Sequence, residues 1–299
     1  MMDLLLENVY LSLALAGLLG LCVGSFLNVV IYRTPVIMNR EWRKDTAYFL
    51  GTQSDLDPTH VKPIQEVIAK DTPFSLSLPP SRCPKCNHQI RFYENIPIIS
   101  WLILLRGQCS GCGNPISARY PMVEFVTAIL SVLVIYILGT NIMGVLGLIY
   151  LWILIALTGI DFDTQLLPDR FVYPLGMIGL ASNSFGVFTT LNNAVWGGLL
   201  GFLSLWSVAK LYAIITKKDG MGAGDFKLLG ALGAWLGAGM LPLLILVSAL
   251  LGSIVGIILM KRSGESKPFA FGPYIAIAGI ITLLWGQDIM SWYLGMYQA

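Results

Sequence analysis

Charge is what this chain has least of. Lys, Arg, Asp and Glu together make up 12% of its 299 residues, about half the ~25% of an ordinary globular protein. With 56% hydrophobic residues and a mean hydropathy of +0.72, that shortage excludes a purely soluble protein. It extends over most of the chain: residues 8–32, 125–160, 171–209, 228–260 and 268–287 carry no charge at all. A bilayer-spanning helix needs roughly 17–25 such residues. The first and last runs fit one helix each. The middle three are about twice the needed length and break at Gly139-Thr140-Asn141, between Thr189 and Asn193, and at Gly237-Ala238-Gly239. The pattern therefore predicts an all-α polytopic membrane protein with eight transmembrane helices.

Other absences narrow the reading. Residues 1–9 contain Asp3 and Glu7 but no Lys or Arg, and no small-residue cleavage site follows, so the first run is expected to be a retained helix and not a signal peptide. Basic residues are missing from every second loop: all 19 Lys and Arg fall in 33–119, 161–170, 210–227 and 261–267. The positive-inside rule predicts that these loops are cytoplasmic, with both termini outside, in the periplasm if the membrane is a bacterial inner one. No internal repeat, low-complexity tract or heptad is evident. The basic residues are too dispersed among acids to predict a nucleic-acid surface.

The expected organisation is a first transmembrane helix at 1–32, a cytoplasmic insert at 33–119 and a seven-helix membrane domain at 120–299. The insert holds 11 basic and seven acidic residues. Its residues 39–75 are polar and motif-poor. Residues 96–105 are apolar but too short to span, and are expected to pack on the insert or lie in the membrane interface.

Four of the five cysteines form Cys83-Pro-Lys-Cys86 and Cys109-Ser-Gly-Cys112, two CxxC pairs 22 residues apart. Each CxxC turn aims two thiolates at one point, and two such turns complete a tetrahedral four-sulfur shell for Zn²⁺. Disulfides are the alternative, but they are rare in the reducing cytoplasm to which the charge map assigns the insert. A four-cysteine site has no open position for water, so the zinc is expected to be structural. Cys22, alone in the first helix, reads as a small buried hydrophobe.

Ionisable groups at membrane depth are costly and usually functional. Two stretches on the same expected face qualify: Gly159-Ile160-Asp161-Phe162-Asp163-Thr164-Gln165-Leu166-Leu167-Pro168-Asp169, and Gly222-Ala223-Gly224-Asp225-Phe226-Lys227. Two carboxyl groups from different helices meeting at one depth can divide the roles of base and acid, as in aspartic proteases. Gly222 and Gly224 would let another backbone or an extended substrate approach Asp225. Asp163, Asp169 and Asp219 read equally well as helix caps or solvated loop charges.

Taken together these motifs resemble the bacterial type IV prepilin peptidases, the leader peptidase and N-methyltransferase enzymes of type IV pilus and type II secretion systems. The resemblance covers nearly the whole chain: Gly24-Ser25-Phe26-Leu27-Asn28-Val29-Val30-Ile31-Tyr32-Arg33, Pro80-Ser81-Arg82-Cys83 with its partner cysteines, Ile116-Ser117-Ala118-Arg119-Tyr120-Pro121 with Glu124, and the two aspartate segments. It implies a GxGD-type membrane aspartic protease that removes the short basic leader of prepilins or pseudopilins after a Gly, on the cytoplasmic side. Its catalytic residues would be Asp161 and Asp225, with Asp163 sensitive to register. It also implies methylation of the new N-terminal amine by S-adenosylmethionine, for which the chain shows no strand followed by a GxGxxG turn. Two other classes compete. A transporter would use Asp161 and Asp225 as ion sites, and a membrane scaffold would use the zinc module to dock a secretion ATPase.

Overall fold

The computed structural model of the protein describes residues 8–52, 73–217, 220–263 and 269–296. Among these are eight α-helices: α1 Val9–Thr52, α2 Arg119–Leu138, α3 Ile142–Thr164, α4 Asp169–Ser184, α5 Leu191–Thr216, α6 Ala223–Leu236, α7 Leu241–Ser263 and α8 Gly272–Gly295. They fall in the expected order and part at 139–141 and at Gly237 as expected, whereas the middle break lies at 185–190, earlier than the expected 189–193. Six are long and apolar enough to cross a membrane. The other two, α4 with 16 residues and α6 with 14, rise only about 24 and 21 Å at 1.5 Å per residue, short of a ~30 Å hydrocarbon core.

The first helix does not stop where its charge-free run stops. It continues through Arg33 and Pro35 to Thr52, 44 residues in all, or about 66 Å. Charge marks where the apolar solvent ends and says little about where the helix ends, because Arg, Lys and Glu are good helix formers in water. Cys22 lies on an exposed face of this helix and is not buried, which corrects the expectation of a core position.

The chain divides into two compact units, residues 1–20 with 126–299, and residues 21–125. In the first, α6 is the central element. Its Leu228, Leu232 and Trp235 are fully buried together with Tyr150, Leu154, Leu157, Leu175 and Ile275 from α3, α4 and α8. Helices this close need small residues, the usual means of tight association in lipid. A Cβ on Gly197 of α5 would land on the Gly233 carbonyl oxygen of α6, and one on Gly233 would land on that of Gly197. The ends of α6 are tied by polar side chains. Asn183 donates to the Ala234 and Trp235 carbonyls, both at 2.9 Å, while its own oxygen accepts from the Phe188 and Thr189 amides. Trp235 Nε1 donates to the Leu175 carbonyl at 2.6 Å. Satisfied polar groups of this kind fix a unique packing where an unpaired one would be costly.

The second unit is built on the inner part of α1. Arg33, buried, donates to the carbonyls of Ser75 and Pro79 at 2.9 and 2.7 Å, and Phe74 lies under the guanidinium groups of Arg33 and Arg40. Asn28 donates to the Tyr120 carbonyl, and Glu124 accepts from the Ile98 amide at 2.7 Å. Asn28 and Arg33 of the Gly24–Arg33 motif thus hold Tyr120 and the Ser75–Pro79 stretch to one helix.

Candidate active site and metal centre

Each CxxC pair sits in a small turn closed by an isolated bridge, Arg82 with Gln89 and Gln108 with Pro115. The two turns share one hydrogen-bond pattern. The Cys83 amide donates to the His88 carbonyl and the Asn87 amide to the Cys83 carbonyl; the Cys109 amide donates to Asn114 and the Gly113 amide to Cys109. The residue after each second cysteine, Asn87 or Gly113, has positive φ, 62° and 67°, a conformation Asn and Gly reach at least cost. This is a local repeat of the backbone that the sequence carries only in its cysteines and these two residues.

All four Sγ atoms lie within 4.8 Å of one another, with Cys83 to Cys112 at 3.9 Å and Cys86 to Cys109 at 3.8 Å. Zn–S bonds of about 2.3 Å in a tetrahedron require S···S separations of about 3.8 Å, so the geometry fits a four-thiolate metal shell. The thiols differ in acidity. Backbone amides of Cys86 and Lys85 pull Cys83 down to about 6. For Cys86 the His88 amide acts in the same direction, but desolvation and the three neighbouring sulfurs outweigh it and push the thiol up to about 12. Four converging thiols cannot all ionise without a counter-charge, and a divalent cation supplies it.

Beside the sulfurs, Glu94 ties the two turns together. Its oxygens meet His88 Nε2 at 3.2 Å and Ser110 Oγ at 2.5 Å, and accept from the Arg91 amide at 2.8 Å. Burial pushes the Glu94 carboxyl up, but the Arg91 amide, the Ser110 hydroxyl and His88 together hold it below the usual range.

The aspartates are built by distant pieces of the membrane unit. Asp161 lies in the last turn of α3, 4% exposed, and Asp225 in the first turn of α6, 8% exposed. Gln165, at φ 55°, ends α3 by returning its amide to the Asp161 carbonyl at 2.9 Å. The chain then runs through Leu167 and Pro168 into α4. The charge of Asp161 acts directly on the Asp225 carboxyl. A third segment, the start of α8, completes the site. The Gly272 amide faces the Asp161 carboxylate, and a Cβ on Gly272 would stand 2.6 Å from Asp161 Oδ2. That oxygen is buried and has no hydrogen-bond partner, an arrangement that leaves a lone pair free for a water or a shared proton.

Leu167 packs on both glycines of the site, 2.8 Å from where a Cβ of Gly224 would lie and 3.0 Å from that of Gly272. Gly224 therefore makes room for the Leu167 side chain within the fold, where the sequence suggested room for an approaching backbone. Asp163 is exposed. Asp169 is paired with Lys227, both carboxylate oxygens at 2.8 Å, which joins the start of α4 to the first turn of α6. Asp219 lies outside the described residues. Gly272 escaped the sequence reading, although a glycine between Phe271 and Pro273 at the start of an apolar run was the signal available.

Fold and sites define a multi-pass helical membrane protein with a pair of buried carboxyl groups and a four-thiol cluster that could hold a metal ion. Residues 18–138 match the family model described as the bacterial peptidase A24 N-terminal domain, and residues 148–257 match the type IV leader peptidase family. The chain is 47% identical over 300 residues to the prepilin leader peptidase/N-methyltransferase of Aeromonas hydrophila, covering 98% of this chain and 99% of that one. It is 46% identical to the protein of the same name from Stutzerimonas stutzeri, covering 98% and 97%, and 47% identical to that of Pseudomonas aeruginosa, covering 93% and 91%. No solved structure matches the chain. The chain belongs to the type IV leader peptidase family.

Proposed function

We propose that the chain is a prepilin leader peptidase and N-methyltransferase in which Asp161 and Asp225 form the hydrolytic pair. The observation that carries this reading is the meeting of two buried acids from α3 and α6 beside the Gly272 amide, with one carboxylate oxygen left unpartnered. A transporter reading has no support in the family, and neither has a scaffold.

In the proposed reaction one carboxylate takes a proton from a water as the water oxygen bonds to the scissile carbonyl carbon. The other carboxyl group protonates the carbonyl oxygen. Collapse of the tetrahedral intermediate breaks the C–N bond, with the proton passing to the leaving amine. The division of labour belongs to the pair, since two close carboxyl groups titrate as one system. The Gly272 amide steadies Asp161 when it is charged. The substrate is the basic leader of a prepilin or pseudopilin, cut after Gly.

Cys83, Cys86, Cys109 and Cys112 would hold a Zn²⁺ ion. A closed thiolate shell organises the insert and activates no water. S-adenosylmethionine supplies an electrophilic methyl group for the newly freed amine. Among the described residues no strand leads into a glycine-rich helix start, so a dinucleotide-type cradle for this donor is not found there. The enzyme resides in the bacterial inner membrane, with the insert and aspartates cytoplasmic and both termini periplasmic. The support for this sidedness is that all 19 Lys and Arg fall in 33–119, 161–170, 210–227 and 261–267, the stretches on one side of the expected helix order. A reporter active only in the periplasm should signal when fused after Asn141 and stay silent when fused near Lys62; the reverse would overturn the orientation. The activity itself is tested by cleavage of a leader-bearing peptide by the purified full chain, which neither a transporter nor a scaffold would perform.

A further inference from the structure

The insert carries an apolar surface that neither hydrolysis nor metal binding uses. Between Arg91 and Gly107 the chain makes a short turn, Phe92–Asn95, and a single π-helical turn, Ser100–Leu104, closed by Leu105 donating its amide to the Ser100 carbonyl at 2.7 Å. One side faces inward. Ser100 is buried, and Trp101 donates to the Ile116 carbonyl at 3.1 Å and covers Gly107. The other side presents Phe92, Ile99, Leu102, Ile103 and Leu104, all exposed, with Ile103 at 68%. A lone exposed leucine needs no explanation, but five large apolar side chains within 13 residues make a patch.

Two observations identify what covers it. The first is depth. Ile98, in the left-handed conformation at φ 59°, gives its amide to Glu124, five residues into α2, itself a candidate membrane span beginning at Arg119. Five residues correspond to about 7.5 Å along the helix, and interfacial segments bury their apolar face about 5–10 Å below the headgroups. The second is charge. Among residues 73–125 the two acids, Glu94 and Glu124, are buried, whereas all five basic residues are exposed, with Arg91 and Arg106 bracketing the apolar stretch and Arg119 at the mouth of α2. An apolar face bracketed along the chain by exposed cations suits an anionic lipid surface.

We propose that residues 96–105 are an interfacial membrane anchor, seating Ile99, Leu102, Ile103 and Leu104 in the headgroup boundary of a bilayer containing anionic lipid. The Glu94 contacts to His88 and Ser110 link the anchor to the four-cysteine module, so the module is moored to the bilayer through this segment. The inference needs only the membrane reading of the chain and stands apart from the peptidase reading.

The test uses the full zinc-loaded chain in vesicles of phosphatidylethanolamine and phosphatidylglycerol doped with a phospholipid bearing a diazirine near the glycerol end of one acyl chain. After illumination, trypsin releases Phe92–Arg106 as one peptide. Lipid adducts are expected on it, several-fold fewer for Leu102→Asp/Ile103→Asp at unchanged zinc content, and fewer when phosphatidylglycerol is replaced by phosphatidylcholine. If the double variant loses zinc, the single Ile103→Ser should still lower adduct yield. Adducts on the α8 peptide with none on Phe92–Arg106 in the wild type would overturn the proposal. So would loss of the adducts on adding a leader-bearing peptide, which would make the patch a substrate surface, or photocrosslinks from this peptide to a second copy.

Discussion

The metal centre and the aspartate pair gather their polar groups over very different stretches of chain. Each CxxC turn is closed by hydrogen bonds spanning four or five residues, and the two turns meet through their sulfurs and through Glu94, which reaches His88 of one and Ser110 of the other. The aspartate site needs α3, the 165–168 link, α6 and the start of α8, with Asp161 and Gly272 more than a hundred residues apart. A local site survives if its own turn survives. A site assembled by helix packing depends on every contact that fixes those helices, down to the glycines that let them touch. The first should therefore respond to removal of its metal, and the second to very small changes of shape.

The largest expected effect is on hydrolysis. Asp161→Asn and Asp225→Asn should each lower kcat for a leader-bearing peptide by about 10²- to 10⁴-fold, the range for loss of a general acid or base, with helix content unchanged by circular dichroism. Asp163→Asn, at an exposed position, should retain most activity and serves as the control.

Gly272→Ala sharpens the contrast, because it changes no chemistry. The added methyl would press on Asp161 Oδ2 and on Leu167, and a displacement of about 1 Å at a reacting group can cost about 10²-fold in rate. A fall in kcat with unchanged zinc content is expected. Unimpaired cleavage would show that the start of α8 does not shape the site.

Cys83→Ser should act in the opposite manner. Zinc, expected at about one per chain for a single four-ligand site, should be lost, and amide exchange in residues 82–115 should rise. Any fall in cleavage should follow destabilisation and be partly restored at lower temperature. An intact, metal-free and fully active wild-type preparation would contradict the structural role.

The smallest effect concerns Glu94. Its carboxyl ionises more readily folded than unfolded, so its contribution to stability is present above the unfolded value of about 4.3 and is lost as pH falls from there through the lower folded value. Glu94→Gln should weaken the insert at neutral pH and flatten this acid dependence, read as the difference from wild type in amide exchange of residues 82–115.

These differences also explain what was legible in the sequence. The cysteine module could be read because its determinants are local: two CxxC pairs and a residue after each that accepts positive φ. The helix breaks could be read because Gly139, Asn141, Thr190 and Gly237 stand where apolar runs must turn, and Asn141 and Thr190 do cap the helices that follow. The continuation of α1 beyond residue 32 could not, since water tolerates helix as well as membrane does. Nor could the unequal division of residues 171–209 into a 16-residue α4 and a longer α5, which rests on Asn183 bonding to the end of α6. The two aspartates stood out by charge in an apolar setting, whereas Gly272 and Leu167, which shape their surroundings, carry no charge and become meaningful only when the helices are packed.

The central claim is that Asp161 and Asp225 act as one unit. It is tested most directly by a double-mutant cycle: cleavage of one leader-bearing peptide by wild type, Asp161→Asn, Asp225→Asn and the double variant, all zinc-loaded and in the same vesicles. Residues that act together are strongly non-additive, so the double variant should be scarcely slower than either single one. A double variant slowed by the product of the two single effects, or a single variant cleaving at close to the wild-type rate, would contradict the account.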